Sequence, residues 1–377
     1  MYLQDFTVLR PQFETEQKSA LEWMVGAHSA ARKKLSGWQQ GDKEYEAFRS
    51  ELSEKLMKLG LGNGKIQKRS SELRDFFHSD WSKMDIFNVE EHPEGYMLDK
   101  RMDFFNESAS RVFEEFYPEG SKLPAHLIHT TCTGYVAPSA AQKIVSLRNM
   151  GRETAVTHAY HMGCYAAMKS VRMAMGHFAL EQTPADIVHT EICTLHFNPT
   201  LHSTEQLVVQ SLFADGFIKY SLGERSEKGP SLKILTVEEE IIENSIEKMT
   251  WDCHPSSFKM TISKDIPVLL RKSMKGYLER LFKKAGRSSW KNARFAIHPG
   301  GPKIIDQIAS HLELAPEQYC HSVEVLQNCG NMSSATLPHV WDLMLKDDSV
   351  KDGELIVSMA FGPGLSFCGG LFEKRGS

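Results

Sequence analysis

The chain has no long apolar run. No uninterrupted hydrophobic stretch in its 377 residues approaches the ~20 residues a membrane-spanning helix needs, so no span is expected. The opening MYLQDFTVLRPQFETEQ lacks the basic, apolar and small-residue order of a secretory leader. Positive charge is not in excess: Lys and Arg total 44 against 48 Asp and Glu, a formal net charge of −4. General affinity for nucleic acid is therefore not expected. Cysteine is scarce and unpaired. Seven residues, an odd number without paired spacing, argue for free thiols in a reducing compartment, hence a cytoplasmic protein. Short repeats and low-complexity tracts are also missing. What remains is an ordinary globular composition, 41% hydrophobic and 24% charged. The length exceeds one simple core and suits two domains or one large duplicated fold.

Along the chain, residues 14–60 and 101–117 carry mixed charge over apolar spacing, as surface helices do. HLIHTTCTG (126–134) and ADIVHTEICTLHF (185–197) read as strands, with LVVQSLFADGFIKYSL after the second. The polar GERSEKGPSL (223–232) is the best break between halves, which divides the chain into 1–228 and 229–377. Beyond it the same kinds of element return. LKILTVEEE is strand, IPVLLRKSMKGYLERLFKKAG a long amphipathic helix, and ARFAIHPGG a strand into a tight turn. KIIDQIASHLEL and SSATLPHVWDLMLK are helical, and ELIVSMAFGPGLSFCGGLFEK is two strands joined at Gly-Pro-Gly. Strands alternate with helices in both halves, so the class is α/β.

Cys164 lies in YHMGCYAAMKSVRMAMG, ahead of a helical face formed by Met168, Val171, Met175 and Phe178. The spacing places Cys164 in the first turn of a buried helix, whose positive end favours thiolate. Gly163 is expected to leave room before the sulfur for an acyl group. A free cysteine is otherwise commonly an inert core thiol, so the reading depends on partners. FAIHPGGPKIID (295–306) ends an apolar strand at His298, where ligand sites of α/β proteins gather. CGNMSSAT (329–336) places Asn331 just before a helix. Each has an alternative: a hydrogen-bonded core histidine, and a helix cap.

Together these motifs resemble the thiolase-like condensing enzymes, and most closely the type III polyketide synthases of the chalcone and stilbene synthase group. HPGGPKIID followed by GNMSSA carries most of the resemblance; FGPGL (361–365), TTCTG, HTEICT with Glu191 and SLFADG with Phe213 extend it over nearly the whole chain. The resemblance implies a five-layer αβαβα thiolase-like fold of two similar halves, usually a homodimer. It implies acyl transfer from a thioester to Cys164, then decarboxylative Claisen condensation with a malonyl thioester, with His298 and Asn331 as donors to the enolate. CoA or phosphopantetheine thioesters would be substrates (acyl-CoA and malonyl-CoA, or an acyl carrier protein as donor), with no permanently bound cofactor and no metal.

By the same resemblance Phe213 and Phe258 match two aromatic gatekeepers, and Ser333 shapes the site near the cysteine. Cys132, Cys193 and His196 stand where small hydroxyl residues are usual, and Met249 where glycine is usual; these should narrow or re-line the chamber. Ala137 replaces a methionine that reaches into the partner's cavity and should open it. Ala360 stands for the first glycine of the closing turn. Lys65, Lys68 and Arg69 fall where relatives meet the CoA phosphates, with a solvated charged face as the alternative. An aliphatic starter and a pyrone, resorcinol or simple β-keto product are expected. Rival readings are a single-condensation ketosynthase working with a carrier protein, a Cys-His-Asn thioester hydrolase, and a metal protein using His158, His161 and Cys164 with Cys193 and His196. The metal clusters are incomplete by the usual ligand spacing.

Overall fold

The structure is a computed structural model that describes residues 1–60, 64–226 and 229–376. The expected boundary after residue 228 touches residues 227–228, which lie outside the described residues. The strands are β1 (Tyr2–Leu9), β2 (Phe13–Glu16), β3 (Lys68–Ser71), β4 (His126–Thr131), β5 (Ala155–Tyr160), β6 (Ala185–Ile192) and β7 (Asp215–Gly223). They continue as β8 (Ser231–Ile241), β9 (Met249–Cys253), β10 (Phe258–Ile262), β11 (Arg294–Ile297), β12 (Leu355–Gly362) and β13 (Ser366–Arg375). Nine of them form one mixed sheet in the order β11-β12-β13-β8-β1-β7-β6-β4-β5.

The order contains a repeated pairing pattern. β4 and β6 are parallel, β6 and β7 antiparallel, and β7 and β1 antiparallel. Likewise β11 and β12 are parallel, β12 and β13 antiparallel, and β13 and β8 antiparallel. The two sets join where β1 meets β8 through Tyr2–Lys233 and Leu3–Leu232. Only the first set carries a further edge strand, β5, parallel to β4.

Inner strands such as β6 and β12 are buried along nearly their whole length because each feeds two cores. Leu127, Val188 and Phe217 point to a core shared with helices Gln17–Ser36 and Leu98–Phe116. Their neighbours Ile128, Ile187 and Ile218 point the opposite way, to a central core with helices Ala166–Glu181 and Thr336–Lys346. In the second set Ala296, Ile356 and Phe372 meet that central core, while Phe295, Val357 and Leu371 meet helices Ile266–Lys284 and Pro302–Leu312. The result is helices, sheet, two central helices, sheet, helices: five layers. Helix Ala166–Glu181 packs on β4, β6 and β7 of one set and on β13 of the other, so it spans the seam. Its buried face is Met168, Val171, Ala174 and Phe178; Met175 is only half-buried, because three-residue steps keep Ala174 in line instead.

Candidate active site

Cys164 lies in a turn just before the Tyr165 N-cap of helix Ala166–Glu181, not within its first turn, and is 5% exposed. Gly163 precedes it with φ +88°, a left-handed conformation that favours glycine. A Cβ there would come within 2.3 Å of Pro363 Cδ. The space expected for an acyl group is therefore filled by the Pro363 ring from the 361–365 turn. On the other side of that turn, a Cβ on Gly362 would fall 1.8 Å from Tyr165 Cδ1. The second half thus clamps the Cys164 turn at its two flanking residues.

His298 follows β11 and extends its ladder, its N–H donating to Met359 O at 2.7 Å. Its ring is 1% exposed, yet neither Nδ1 nor Nε2 has a hydrogen-bond partner among the described residues. Buried ring nitrogens seldom go unpaired; these two are free for a ligand. Burial lowers its pKa to about 3, so the imidazole is neutral near pH 7. Asn331 follows Gly330 (φ +73°), which ends helix Pro316–Cys329. The Asn331 Oδ1 accepts Ser333 N–H at 2.9 Å, and its Nδ2 donates to Gly300 O at 3.3 Å, two residues beyond His298. Its backbone is tied to both sides of Phe213: Asn331 N–H donates to Leu212 O and Ala214 N–H to Asn331 O, each at 2.9 Å. The Ser333 and Asn331 side chains lie close enough to the Cys164 sulfur to act as donors to its thiolate.

Such donors favour thiolate, but burial outweighs them, helped by the Glu191 charge, and pushes the Cys164 thiol up to about 12. The expected activation by a helix start is not the resting arrangement. The resting pair is thiol and neutral imidazole.

Glu191 is a buried anchor beside Cys164. It accepts from Cys132 N–H (2.9 Å), Thr133 Oγ1 (2.9 Å), Ser334 N–H (3.2 Å) and the Ser334 hydroxyl. Burial raises its pKa against these bonds. Cys132 Sγ accepts from Gly163 N–H at 3.0 Å and faces Gly163 O at 3.1 Å, so one thiol holds the backbone beside the other. Cys132 and Cys193 are buried thiols, pushed well up by burial.

A narrow cavity of about 50 Å³ lies beside this region, lined by Cys132, Thr133, Gly163, Cys193, His196, Phe213, Phe258 and Ser333 but not by Cys164, His298 or Asn331 themselves. His196 accepts Phe258 N–H on Nδ1 (3.0 Å), which leaves Nε2–H to donate to Thr133 O (2.8 Å). Its ring stacks on Phe258 at 4.3 Å, and burial keeps it neutral with a pKa of about 3. Trp251, which sequence reasoning passed over, stands edge-on to both rings at 5.7 and 5.8 Å. Its Nε1–H donates to Cys132 O at 2.7 Å. In the β9–β10 hairpin Trp251 pairs with Met260, and both line the cavity. The period-two spacing of Phe258 and Met260 was the available signal.

Other residues lie elsewhere. Met249 packs in the outer core of the second half with Ile242 and Leu365, and is not among the cavity-lining residues. Ala137 is exposed and does not line its own chain's cavity. Arg69 is 4% exposed, and its Nη1 donates to Gln210 O and Phe213 O at 2.9 and 3.0 Å. Enclosed in this way, it braces the Phe213 backbone rather than meeting surface phosphates. Lys65 pairs with Asp306 at 3.1 Å and Lys68 with Glu14 at 2.9 Å. His158 and His161 bond to Ser139 Oγ and Trp251 O, both at 2.8 Å.

Layers and site together define a thiolase-like condensing-enzyme fold. Residues 224–374 match the family of chalcone and stilbene synthases, C-terminal domain. "Probable polyketide synthase 1" of Dictyostelium discoideum is 30% identical over 254 residues, which is 65% of this chain and 8% of that protein. The chain thus spans only a small part of that relative. "Putative chalcone synthase" of Bacillus subtilis (strain 168) is 27% identical over 305 residues, 76% of this chain and 83% of that one. Among solved structures, the C-terminal type III polyketide synthase domain of Steely1, a type I/III hybrid from Dictyostelium, superposes with TM-score 0.82 at 22% identity, covering 99% and 98% of the two chains. The 1,3,6,8-tetrahydroxynaphthalene synthase of Streptomyces coelicolor A3(2) gives 0.79 at 19% identity over all of both chains. Residues 224–374 thus carry a chalcone and stilbene synthase C-terminal domain, and the chain as a whole has the fold of solved type III polyketide synthases.

Proposed function

We propose that this protein is an acyl-transferring condensing enzyme that loads an acyl group on Cys164 and extends it with a malonyl thioester. The observation that carries the reading is that Asn331 of the second half acts on the buried Cys164 thiol of the first and also reaches Gly300 O, two residues beyond His298, whose ring nitrogens have no partner among the described residues. Neutral His298 takes the Cys164 proton, the sulfur attacks the acyl thioester, and the carrier thiol leaves with a proton. Loss of carbon dioxide from the malonyl unit then develops an enolate oxygen, to which His298 and Asn331 donate. Its carbon attacks the Cys164 thioester and releases the sulfur. One preorganised donor of this kind is worth about 3–4 kcal/mol of barrier. The chemistry calls for CoA or phosphopantetheine thioesters and no resident metal or redox group.

The repeated strand pattern supports a division into halves near residue 228, and the β5 edge supports a homodimer formed by edge pairing. Seven free cysteines support a reducing, cytoplasmic setting. The wall of Phe213, Phe258, His196, Cys132 and Cys193 around a small cavity supports an aliphatic starter and a β-keto, pyrone or resorcinol product. The test is to incubate the protein with octanoyl-CoA alone and then with malonyl-CoA. Carbon dioxide release with a lengthened chain, and an octanoyl adduct on Cys164 by mass spectrometry, are expected. Free octanoic acid in both incubations, with no lengthening, would instead identify a thioester hydrolase.

A further inference from the structure

Arg69 holds a charge inside the protein. It is buried and forms no ion pair among the described residues; Asp215 attracts it without pairing. Burying a cation without a close counter-ion is costly, so its hydrogen bonds should show what the position requires. They lead to the end of helix Thr204–Leu212.

The last carbonyls of a helix have no partners within it. Here each is met by a remote group. Gln210 O and Phe213 O accept from Arg69 Nη1 at 2.9 and 3.0 Å, and Ser211 O accepts from Gln17 Nε2 at 2.9 Å. Leu212 O takes the Asn331 N–H at 2.9 Å. A cation also suits the negative end of the helix dipole. The segment held in this way is the one Asn331 pairs with, since Phe213 and Asn331 form an isolated parallel bridge. Packing is close as well: a Cβ on Gly330 would lie 3.1 Å from Leu212 O and 3.2 Å from Arg69 Cγ.

The other approach to Asn331 is tied to the same stretch of chain. Gln67 N–H donates at 2.7 Å to Gln327 O, in the helix that Gly330 ends. Gln17 N–H donates to Gln67 O, also at 2.7 Å. Residues 67–69 therefore join the helix before Asn331 to the segment beside it.

We infer that Arg69 is a positioning residue for condensation. Through the Gln210 and Phe213 carbonyls it fixes the backbone of Asn331, and with it the carboxamide that donates to the enolate. The inference rests on the proposed decarboxylative step. Glutamine at this position is too short to reach both carbonyls and removes the cost of a buried charge, which makes it the informative replacement.

The test uses the full chain, Arg69→Gln, Asn331→Ala and the double variant. Malonyl-CoA decarboxylation is read as carbon dioxide release, and octanoyl-CoA loading of Cys164 by mass spectrometry. Arg69→Gln should lower kcat for decarboxylation about tenfold with KM unchanged, while loading changes less than about threefold and so reports a folded site. In the Asn331→Ala background the same substitution should cost less than about twofold more, because residues acting through one group are not additive. Where Arg69→Gln does not fold, Arg69→Lys, which retains the charge but not the fork, takes its place in the cycle. Equal, independent losses in the two backgrounds would overturn the inference. So would a parallel loss of loading and decarboxylation, the mark of a general brace, or a rise in KM alone, the mark of a substrate-phosphate contact. Failure of the unaltered chain to load Cys164 or to release carbon dioxide would refute the proposed function itself.

Discussion

In the first half β4, β6 and β7 run parallel and then antiparallel, and β11, β12 and β13 repeat that order in the second. The strand ends nevertheless carry opposite chemistry. After β4 and β6, polar atoms are committed: Thr131, Cys132 and Thr133 bond to Glu191, and His196 uses both ring nitrogens. After β11 the His298 ring has no partner among the described residues. The difference shows how a duplicated framework divides its labour. One half spends its hydrogen bonds on holding a thiol in a rigid wall. The other leaves the His298 ring unpartnered and sends a turn, Gly362–Gly364, across the seam to pin that thiol's neighbours.

Removing the thiol tests the division most severely. Cys164→Ala should abolish both acyl loading and condensation, as read by intact mass and product formation. Next come the candidate donors of the second half. His298→Ala and Asn331→Ala should each lower malonyl decarboxylation about 10²–10³-fold, measured as carbon dioxide release. The fold should survive, because His298 makes no side-chain hydrogen bond that would be lost. If His298→Ala instead unfolds the chain, its ring is structural and the comparison fails.

The committed half should show its cost in stability. Glu191→Ala leaves several buried donors unpaired at about 1–3 kcal/mol each, and urea denaturation should show a large loss; Glu191→Gln should lose less. The buried histidines predict the pH dependence. His129, His189, His196 and His298 titrate at about 3 in the fold and His28 at about 4, each held down chiefly by burial. Below the unfolded value near 6.5 the unfolded chain binds protons that the native chain refuses. Stability should therefore fall as pH drops from 6.5 toward 4, by up to about 1.4 kcal/mol per unit for each histidine. Asp215, raised by burial to about 7, binds its proton in the fold and offsets one of them. Urea midpoints at pH 7.5, 6 and 5 would test the sign. The smallest change is in product size. Trp251→Ala should open the wall and lengthen products by one or more two-carbon units, read by mass spectrometry, while octanoyl loading persists.

Much of this was legible in the residues. HPGGPKIID, GNMSSA and FGPGL located the second half's contribution, and the helical spacing after Cys164 located the buried helix. Strand positions were legible where both faces are apolar, as in β6 and β12. Tyr2–Leu9 was not read as a strand, since its mixed polarity shows no clear alternation, yet it joins the two halves of the sheet. Trp251 was missed because its position depends on hairpin register with Met260. Arg69, Lys65 and Met249 were placed by register against relatives, which does not tell a buried guanidinium from an exposed one.

By itself, the order of residues determined the fold class, the match of residues 224–374 to a known domain and the candidate groups Cys164, His298 and Asn331, because these depend on local motifs. Only the tertiary structure decided the state of those groups. The neutral His298, the protonated Cys164, the Pro363 ring filling the space before Gly163 and the His196–Trp251–Phe258 wall all follow from burial and from contacts between residues remote in sequence. Desolvation and close packing depend on what surrounds a side chain, and those surroundings exist only once both halves have folded together.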